Sequence, residues 1–285
     1  MLEELRPIGL ENLPDVIRLL NESSRGTSLE FHLDMFGFLN FSRYWNFSYK
    51  YSLVRYVEGE PAALMLNCTD QKTRSAYTLY WGTLAQFRSR PISVPLFDAC
   101  CQRLRDDGYE TLYGVSVSDR PAQRYRFIQA YPQYRLMDMR CDHATLPDPD
   151  PSFAVRPIEA ALLSQIQLPP EEHLHWSQRP AFLMNAVPMI QTLGAFSGDE
   201  LKAYAAILPE APHTLLDIRS PEQSIPAGCE LLRFLVSNYR ATLTATNVFD
   251  QSYSQRLLQV CGFVETRRFS SLIRDLLTTT SPTQP

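Results

Sequence analysis

The chain has 285 residues, which predicts about two domains at roughly 150 residues per domain. Hydrophobic residues make up 45% of it and charged residues 20%, a composition typical of a globular protein and unlike that of a disordered chain. The 27 basic and 31 acidic side chains give a net charge of −4, which without basic runs argues against nucleic-acid binding. We see neither a secretory signal nor an apolar run of the ~18–20 residues that cross a membrane, so we expect a cytoplasmic protein without membrane association.

The first half of the chain alternates segments with strand-like and helix-like hydrophobic patterns. Its longest helix is expected to end at Gly108, because a glycine after the last apolar turn is a helix-stop signal. In chain order, the predicted elements are a strand at Leu5–Ile8, a helix at Glu11–Leu20, strands at Ser52–Val57, Ala62–Asn67 and Ala76–Leu84, a helix at Ile92–Asp107, a strand at Thr111–Val117, a helix at Ala122–Ala130 and a strand at Tyr134–Arg140.

The second half repeats this order in a shorter form. Leu5–Ile8 returns as the nearly identical Val155–Ile158, and the segment from Ala122 matches that from Ser254 in a shared Gln-Arg pair and a terminal aromatic residue. Several such matches in the same order indicate an internal repeat. The predicted elements here are strands at Leu201–Ile207, Thr214–Ile218 and Ala241–Thr246, helices at Ala227–Asn238 and Gln251–Val260, and a final strand at Val264–Ile273.

A proline-rich joint separates the two copies. Residues 142–152 contain three prolines and three acidic residues, which bar a helix or an inner strand there. We therefore predict an N-terminal domain at 1–141, a linker at 142–152, a C-terminal domain at 153–276 and a frayed tail at 277–285. The expected fold class is α/β (α+β), with two tandem domains that each hold a mixed, mostly antiparallel sheet flanked by helices.

The order strand, loop, helix, strand, helix, aromatic turn and strand resembles the GNAT superfamily of N-acetyltransferases. A tandem pair of such units resembles its two-domain members, such as mycothiol synthases, and the resemblance covers nearly the whole chain. It implies acetyl-coenzyme A (acetyl-CoA) as acyl donor, no metal, and a small-molecule or peptide amine that attacks the thioester directly. In the family, a loop of pattern Arg/Gln-x-x-Gly-x-Gly/Ala holds the donor's pyrophosphate, since the start of a helix presents free N–H groups and a partial positive charge.

The matching loop of the first copy runs from Arg88 to Ser93. Pro91 and Ser93 replace its two glycines, and Pro91 has no N–H to donate. The second copy, Gln223–Gly228, keeps the final glycine but holds no cation. If one half alone binds the donor, we expect the first, because arginine can pair bidentately with phosphates. The donor-binding residues that the resemblance implies are Thr83, Leu84, Arg88, Ser89, Arg90, Ile92, Ser93 and Asp119.

The tyrosine that in the family protonates the leaving thiolate is missing from both copies. Arg126 and Leu258 stand at its positions, and neither can supply a proton at neutral pH. The substitute that we predict is Tyr80, whose phenol can protonate a thiolate; the alternative is a core tyrosine whose hydroxyl is bonded to the protein. Candidate bases for the amine proton are His32, Glu30 and Asp34.

Three further features have a structural interpretation that we favour over a functional one. His173 and His175 lack a convincing third metal ligand, so we expect a solvated loop. Cys100 and Cys101, on the longest helix of the first half, are expected to pack in the hydrophobic core. The aromatic-rich stretch from Phe31 to Tyr56 can line an acceptor pocket, as in the family, but aromatic side chains more often fill a core.

Three functions stay open on the sequence. The first is transfer of an acetyl group from acetyl-CoA to an amine. The second is a catalytically degenerate binding or scaffold protein, which the missing glycines and the missing tyrosine favour. The third is a transferase that uses another acyl donor. The sequence identifies neither the acceptor nor the oligomeric state, because a fold does not fix a function.

Overall fold

The structure, a computed structural model, describes residues 3–27, 30–116, 128–142, 146–168, 174–187, 189–209, 213–239 and 242–277. The strands are β1 (Glu3–Pro7), β2 (Leu53–Val57), β3 (Glu60–Asp70), β4 (Ser75–Thr83), β5 (Thr111–Ser116), β6 (Tyr131–Cys141), β7 (Ala154–Pro157), β8 (Gln191–Ser197), β9 (Glu200–Leu208), β10 (Thr214–Arg219), β11 (Leu243–Phe249) and β12 (Val264–Asp275). The α-helices are α1 (Leu13–Ser24), α2 (Met35–Tyr44), α3 (Ser93–Asp106), α4 (Ala160–Leu163), α5 (Pro180–Asn185), α6 (Ile225–Tyr239) and α7 (Tyr253–Val260).

Most predicted elements are confirmed to within a few residues, including β4, α3 and α6. The sequence analysis missed α2, α4, α5 and β8. Positions 122–127 of the predicted helix at Ala122–Ala130 lie outside the described residues.

The chain forms two compact units whose boundaries differ from the predicted domain boundaries. Unit 1 comprises Met1–Gln133 together with Ser270–Pro285, and unit 2 comprises Tyr134–Phe269. The predicted linker at 142–152 therefore belongs to unit 2, and the C-terminal segment returns to unit 1. The physical reason is a long-range strand pairing: β12 continues past Phe269, and its last residues, Ser270–Asp275, form an antiparallel ladder with β5.

Unit 1 has the mixed, mostly antiparallel sheet that the sequence predicts. Its strand order is β1-β2-β3-β4-β5 followed by the final part of β12, and the β4–β5 pair is parallel. The apolar face of α1 is buried against β3 and β4, and α3 packs on β2, β3 and β4. Burying one stripe of each amphipathic helix against the sheet creates the core.

Unit 2 repeats the arrangement with its own core. Its strand order starts with the first part of β12 and continues β6-β11-β10-β9-β8-β7, and the β10–β11 pair is parallel. Helix α6 packs on β7, β8 and β9, while α7 packs on β10 and β11. None of the described helices is both long and apolar enough to cross a membrane.

Candidate functional site

Two parallel strands of unit 1 diverge and open a gap in its sheet. β4 and β5 pair along Ser75–Tyr77 and Thr111–Tyr113, and no further pair is formed among their remaining residues. β4 also carries a bulge: Tyr80 pairs with Leu66 and Thr78 with Asn67, so Leu79 is extra. A bulge bends its strand and increases the local twist. Backbone groups that face the gap are therefore available to a ligand, since buried backbone groups need partners.

The gap is a cavity of about 550 Å³ that lies wholly within unit 1. Both diverging strands, both flanking helices and the end of β12 contribute to its walls. The lining residues are Ser23, Thr27, Thr78, Leu79, Tyr80, Trp81, Gly82, Thr83, Arg88, Ser93, Phe97, Leu112, Tyr113, Gly114, Val115, Ile128, Ala130, Leu272 and Arg274. We call this cavity the unit 1 cleft.

Tyr80, the predicted proton donor, lines the cleft on the face of the sheet covered by α1. Its hydroxyl shares a 3.0 Å hydrogen bond with the Ser23 hydroxyl of that helix. Phe31 meets its ring edge-on at 5.5 Å between centroids. Burial raises the pKa of the Tyr80 phenol, so the group is protonated at neutral pH. The Tyr80 hydroxyl is thus bonded to the protein, as the alternative interpretation of a core tyrosine expects, but the residue lines a cavity.

The opposite face of the same strand turns toward α3. Trp81 packs against Phe97, with 5.0 Å between ring centroids, as the expected alternation of Tyr80 and Trp81 requires. Arg274 of β12 lies on the same phenylalanine, 5.2 Å from the ring centroid. The Nε1 atom of Trp81 and the Nε atom of Arg274 are buried without a hydrogen-bond partner.

The far end of β4 supplies a polar rim where α3 begins. The hydroxyls of Thr83 and Ser93 share a 3.0 Å hydrogen bond, and both line the cleft. Arg88 donates from Nε to the Thr83 carbonyl at 3.3 Å and from its other end to the Ser23 carbonyl at 3.4 Å. α3 starts at Ser93. The first N–H groups of a helix have no partner within it, and since Pro95 has none to donate, Ser93 and Val94 supply the N–H groups of this turn for an anion.

The remaining donor-binding candidates do not line the cleft. Leu84 and Ile92 are buried in the core of unit 1, so their side chains anchor the two ends of the loop in that core. Ser89 and Arg90 are exposed, and the Arg90 guanidinium lies over the Phe87 ring at 5.5 Å. Asp119 lies outside the described residues.

None of the three candidate bases is among the lining residues of the cleft. Asp34 has a structural task instead: its carboxylate accepts the Gly37 N–H at 2.7 Å and caps α2. Glu30 accepts the Gly26 N–H at 3.3 Å. The His32 side chain is 79% exposed and lies 3.6 Å from the Glu30 carboxylate. The described geometry thus brings Tyr80 to the cleft without any of these carboxylates or the imidazole.

The equivalent gap in unit 2 is filled by the protein itself. β10 and β11 pair in parallel at Thr214–Leu215 and then diverge. The side-chain amide of Gln178 donates to the carbonyls of Leu216 and Asn247, each at 3.3 Å, and so bridges the two strands. Gln178 belongs to a buried 3₁₀ turn, Trp176–Gln178, that the sequence analysis did not predict. We call this turn the unit 2 plug.

Gly228 of the matching loop in unit 2, and Arg219 just before that loop, are engaged in packing. Arg219 is fully buried, donating to the Asp217 carboxylate at 2.8 Å and to the Gln178 side chain at 3.1 Å. Gly228 lies inside α6, and a Cβ there would collide with Tyr253 and Leu257 of α7. Its small size is thus required by the contact between the two helices, not by an approaching ligand.

The structure corrects one of the three structural interpretations, because His175 does not lie in a solvated loop. His175 is buried, with Nδ1 within 2.9 Å of the Ser177 hydroxyl, and His173 lies outside the described residues. No group of His, Cys, Asp or Glu in the described part of the chain could hold a metal ion. Cys100 and Cys101 are buried in the core. The aromatic stretch packs within unit 1; its ring pairs are Phe31–Phe41, Phe38–Phe47 and Trp45–Tyr77.

Comparison of the whole chain with known proteins identifies the fold. No family model and no curated sequence matches the chain. A tandem GNAT protein from the clavulanic acid biosynthesis pathway matches in structure with a TM-score of 0.71 at 12% identity, over 98% of this chain and 100% of that one. A GCN5-related N-acetyltransferase from Sphaerobacter thermophilus matches with a TM-score of 0.69 at 11% identity, over 96% of each chain. One from Kribbella flavida matches with a TM-score of 0.62 at 13% identity, over 96% of this chain and 72% of that one. The protein therefore has the tandem GNAT fold, as the sequence predicts.

Proposed function

We propose that the protein is an acyl-CoA-dependent N-acyltransferase that acetylates an amine of a small molecule or peptide, and that unit 1 alone binds the donor. The observation that carries the proposal is the contrast between the two gaps. The unit 1 cleft is an open cavity with a polar rim, whereas Gln178 bridges the matching strands of unit 2. The tandem GNAT fold supports the reaction class, because structural neighbours with this fold are described as N-acetyltransferases.

The residues of the unit 1 cleft fit the parts of an acyl-CoA. Arg88, Ser93 and the first N–H groups of α3 form a cationic, donor-rich rim for the pyrophosphate. The unpaired edges of β4 and β5 can bind the amide-containing arm by backbone hydrogen bonds. When bound, acyl-CoA supplies an acyl group activated as a thioester.

Tyr80 is the group that we assign to the departing thiolate. It is protonated at neutral pH, lines the cleft, and is held by Ser23 and Phe31. The Ser23 hydroxyl also donates to the Leu19 carbonyl, so it can accept from Tyr80 in the resting state. The amine proton leaves to water, because none of the predicted bases lines the cleft.

Calorimetry of the full chain with acetyl-CoA tests the donor proposal, with two neighbouring arginines as a matched pair. Arg88→Met removes the cation at the rim of the cleft and is expected to weaken binding by about 1.5–3 kcal/mol, the value of a hydrogen bond to a charged group. Arg90→Met removes an equally exposed cation that does not line the cleft, and affinity is expected to stay within about twofold. Failure of acetyl-CoA to bind, or equal losses in both variants, would contradict the proposal.

A non-catalytic binding protein is the second candidate, favoured by the missing family tyrosine and by the bonded state of the Tyr80 hydroxyl. An amine panel separates the two. A protein that binds acetyl-CoA with the expected Arg88 dependence, yet acetylates no amine of the panel, supports the non-catalytic function.

A further inference from the structure

Two buried donors without partners meet at one phenylalanine in the unit 1 cleft. Arg274 is 8% exposed, and its Nε has no hydrogen-bond partner. Its Nη1 atom donates to the Ile128 carbonyl, which is a neutral acceptor. The Nε1 of Trp81 is also buried and unpartnered. Both residues line the cleft and both contact Phe97, so the two side chains lie at the same part of its wall.

These donors cannot satisfy each other. Arginine and tryptophan side chains carry N–H donors and no acceptor. A buried cation that lacks an anionic partner is costly to the fold, since neutral acceptors leave its charge uncompensated. Among the described residues, the hydrogen-bond acceptor of Arg274 is the Ile128 carbonyl. A ligand carboxylate would supply the missing negative charge and matches the geometry of a guanidinium.

The phosphates of the donor are placed elsewhere. In the strand ladder Arg274 is in register with Leu112, and Leu112 with Ala76, which precedes the divergence of β4 and β5. Thr83, at the rim, lies seven residues further along β4, roughly 20 Å at ~3.3 Å per residue. Since Arg88 and Ser93 at that rim are assigned to the phosphates in the proposed function, we assign Arg274, which lines the cleft from β12, to the acyl group of the donor.

On these grounds, and resting on the proposed function, we propose that the unit 1 cleft selects acyl-CoA donors whose acyl group ends in a carboxylate, with Arg274 and Trp81 as its binding groups. Succinyl-CoA is the representative of this class. The apolar side chains beside them, Leu112, Ile128 and Leu272, suit the methylene groups between thioester and carboxylate. An acetyl group offers no anion to Arg274.

The test compares the affinities of CoA, acetyl-CoA and succinyl-CoA for the full chain by calorimetry. The parent protein is expected to bind succinyl-CoA at least about tenfold more tightly than acetyl-CoA. Arg274→Met is expected to bring that ratio close to one while CoA affinity changes little. Trp81→Phe keeps the ring on Phe97, removes the N–H, and is expected to reduce the ratio several-fold. Arg88→Met, at the rim, is expected to weaken all three ligands alike and leave the ratio unchanged.

The outcomes separate the two proposals. If CoA itself does not bind, the proposed function fails. If CoA and acetyl-CoA bind but succinyl-CoA is not preferred, or if Arg274→Met weakens all three ligands equally, the carboxylate site is overturned while the donor site stands. Circular dichroism shows whether the Arg274→Met variant is folded. If it is not, the ratio of succinyl-CoA to acetyl-CoA affinity in the parent protein and in Trp81→Phe decides whether the carboxylate site stands.

Discussion

Gly82 offers a sharp test of how the unit 1 cleft holds Tyr80. A Cβ built at Gly82 would lie 2.6 Å from the Ser23 hydroxyl and 2.7 Å from the Tyr80 hydroxyl. Real Cβ contacts are longer, so Gly82→Ala must displace the Tyr80 ring, the Ser23 side chain or both. Overpacking of this kind costs about 1–3 kcal/mol. At ~2–4 °C per kcal/mol for a unit of this size, the melting temperature is expected to fall by about 2–12 °C.

A second glycine of the same cleft provides the control. A Cβ at Gly114 of β5 would have one neighbour, the Thr78 Cβ at 3.8 Å, which is an ordinary contact. Gly114→Ala is therefore expected to change the melting temperature by no more than a degree or two, on the order of the effect of a tolerated substitution. Differential scanning calorimetry measures both variants. Equal losses would refute the reasoning, and so would a Gly82→Ala loss that persists unchanged when Tyr80 and Ser23 are both replaced by Ala.

Three further predictions concern chemistry, packing and pH. Tyr80→Phe is expected to lower the turnover number at least about tenfold, as loss of a general acid does, with acetyl-CoA affinity unchanged; turnover within twofold of the parent removes Tyr80 from the mechanism. Gln178→Ala removes the hydrogen bonds of this side chain to two strand carbonyls and to the buried Arg219 guanidinium. It is expected to lower the free energy of unfolding, measured with urea, by roughly 2–4 kcal/mol. A decrease of less than 1 kcal/mol would contradict the bridging role of the plug. Burial lowers the pKa of His175 to about 3, so between pH 6.5 and 3 the unfolded state binds a proton that the folded state does not. The free energy of unfolding is therefore expected to fall as the pH drops through this window, by up to about 1.4 kcal/mol per pH unit. A His175→Gln variant with the same dependence of stability on pH would argue against this origin.

The cleft-forming elements were predictable because their signals are local. The strand β4 is a short run rich in aromatic and apolar residues, and α3 lies between Pro91 and Gly108. The task of Asp34 also had a local signal, since an Asp directly before an apolar helical segment is a common N-cap. Taking it for a base followed from missing α2, whose aromatic residues obscured the helical pattern.

Arg274 could not be assigned from the sequence, although a signal was present. An arginine in the apolar run Ser271–Leu277 is unusual for a strand with a buried face. What the sequence does not show is that β12 pairs with β5, more than 150 positions earlier in the chain, since strand pairing at such separations has no local signature. We expected β12 to be the last strand of the second domain, but its final residues form a wall of the unit 1 cleft.

The two gaps show how one fold can either create or remove a ligand site. Parallel strands that diverge leave backbone carbonyls and N–H groups facing each other across a space too wide for direct pairing, and such groups must find partners. In unit 2 the partner is internal: the Gln178 amide bonds to a carbonyl on each strand and its oxygen accepts from Arg219. In unit 1 a cavity separates the diverging strands, and the buried Nε of Arg274 and Nε1 of Trp81, on residues that line it, have no hydrogen-bond partner. Under the proposed function a bound donor supplies part of this polar bonding, and we expect its binding to stabilise unit 1.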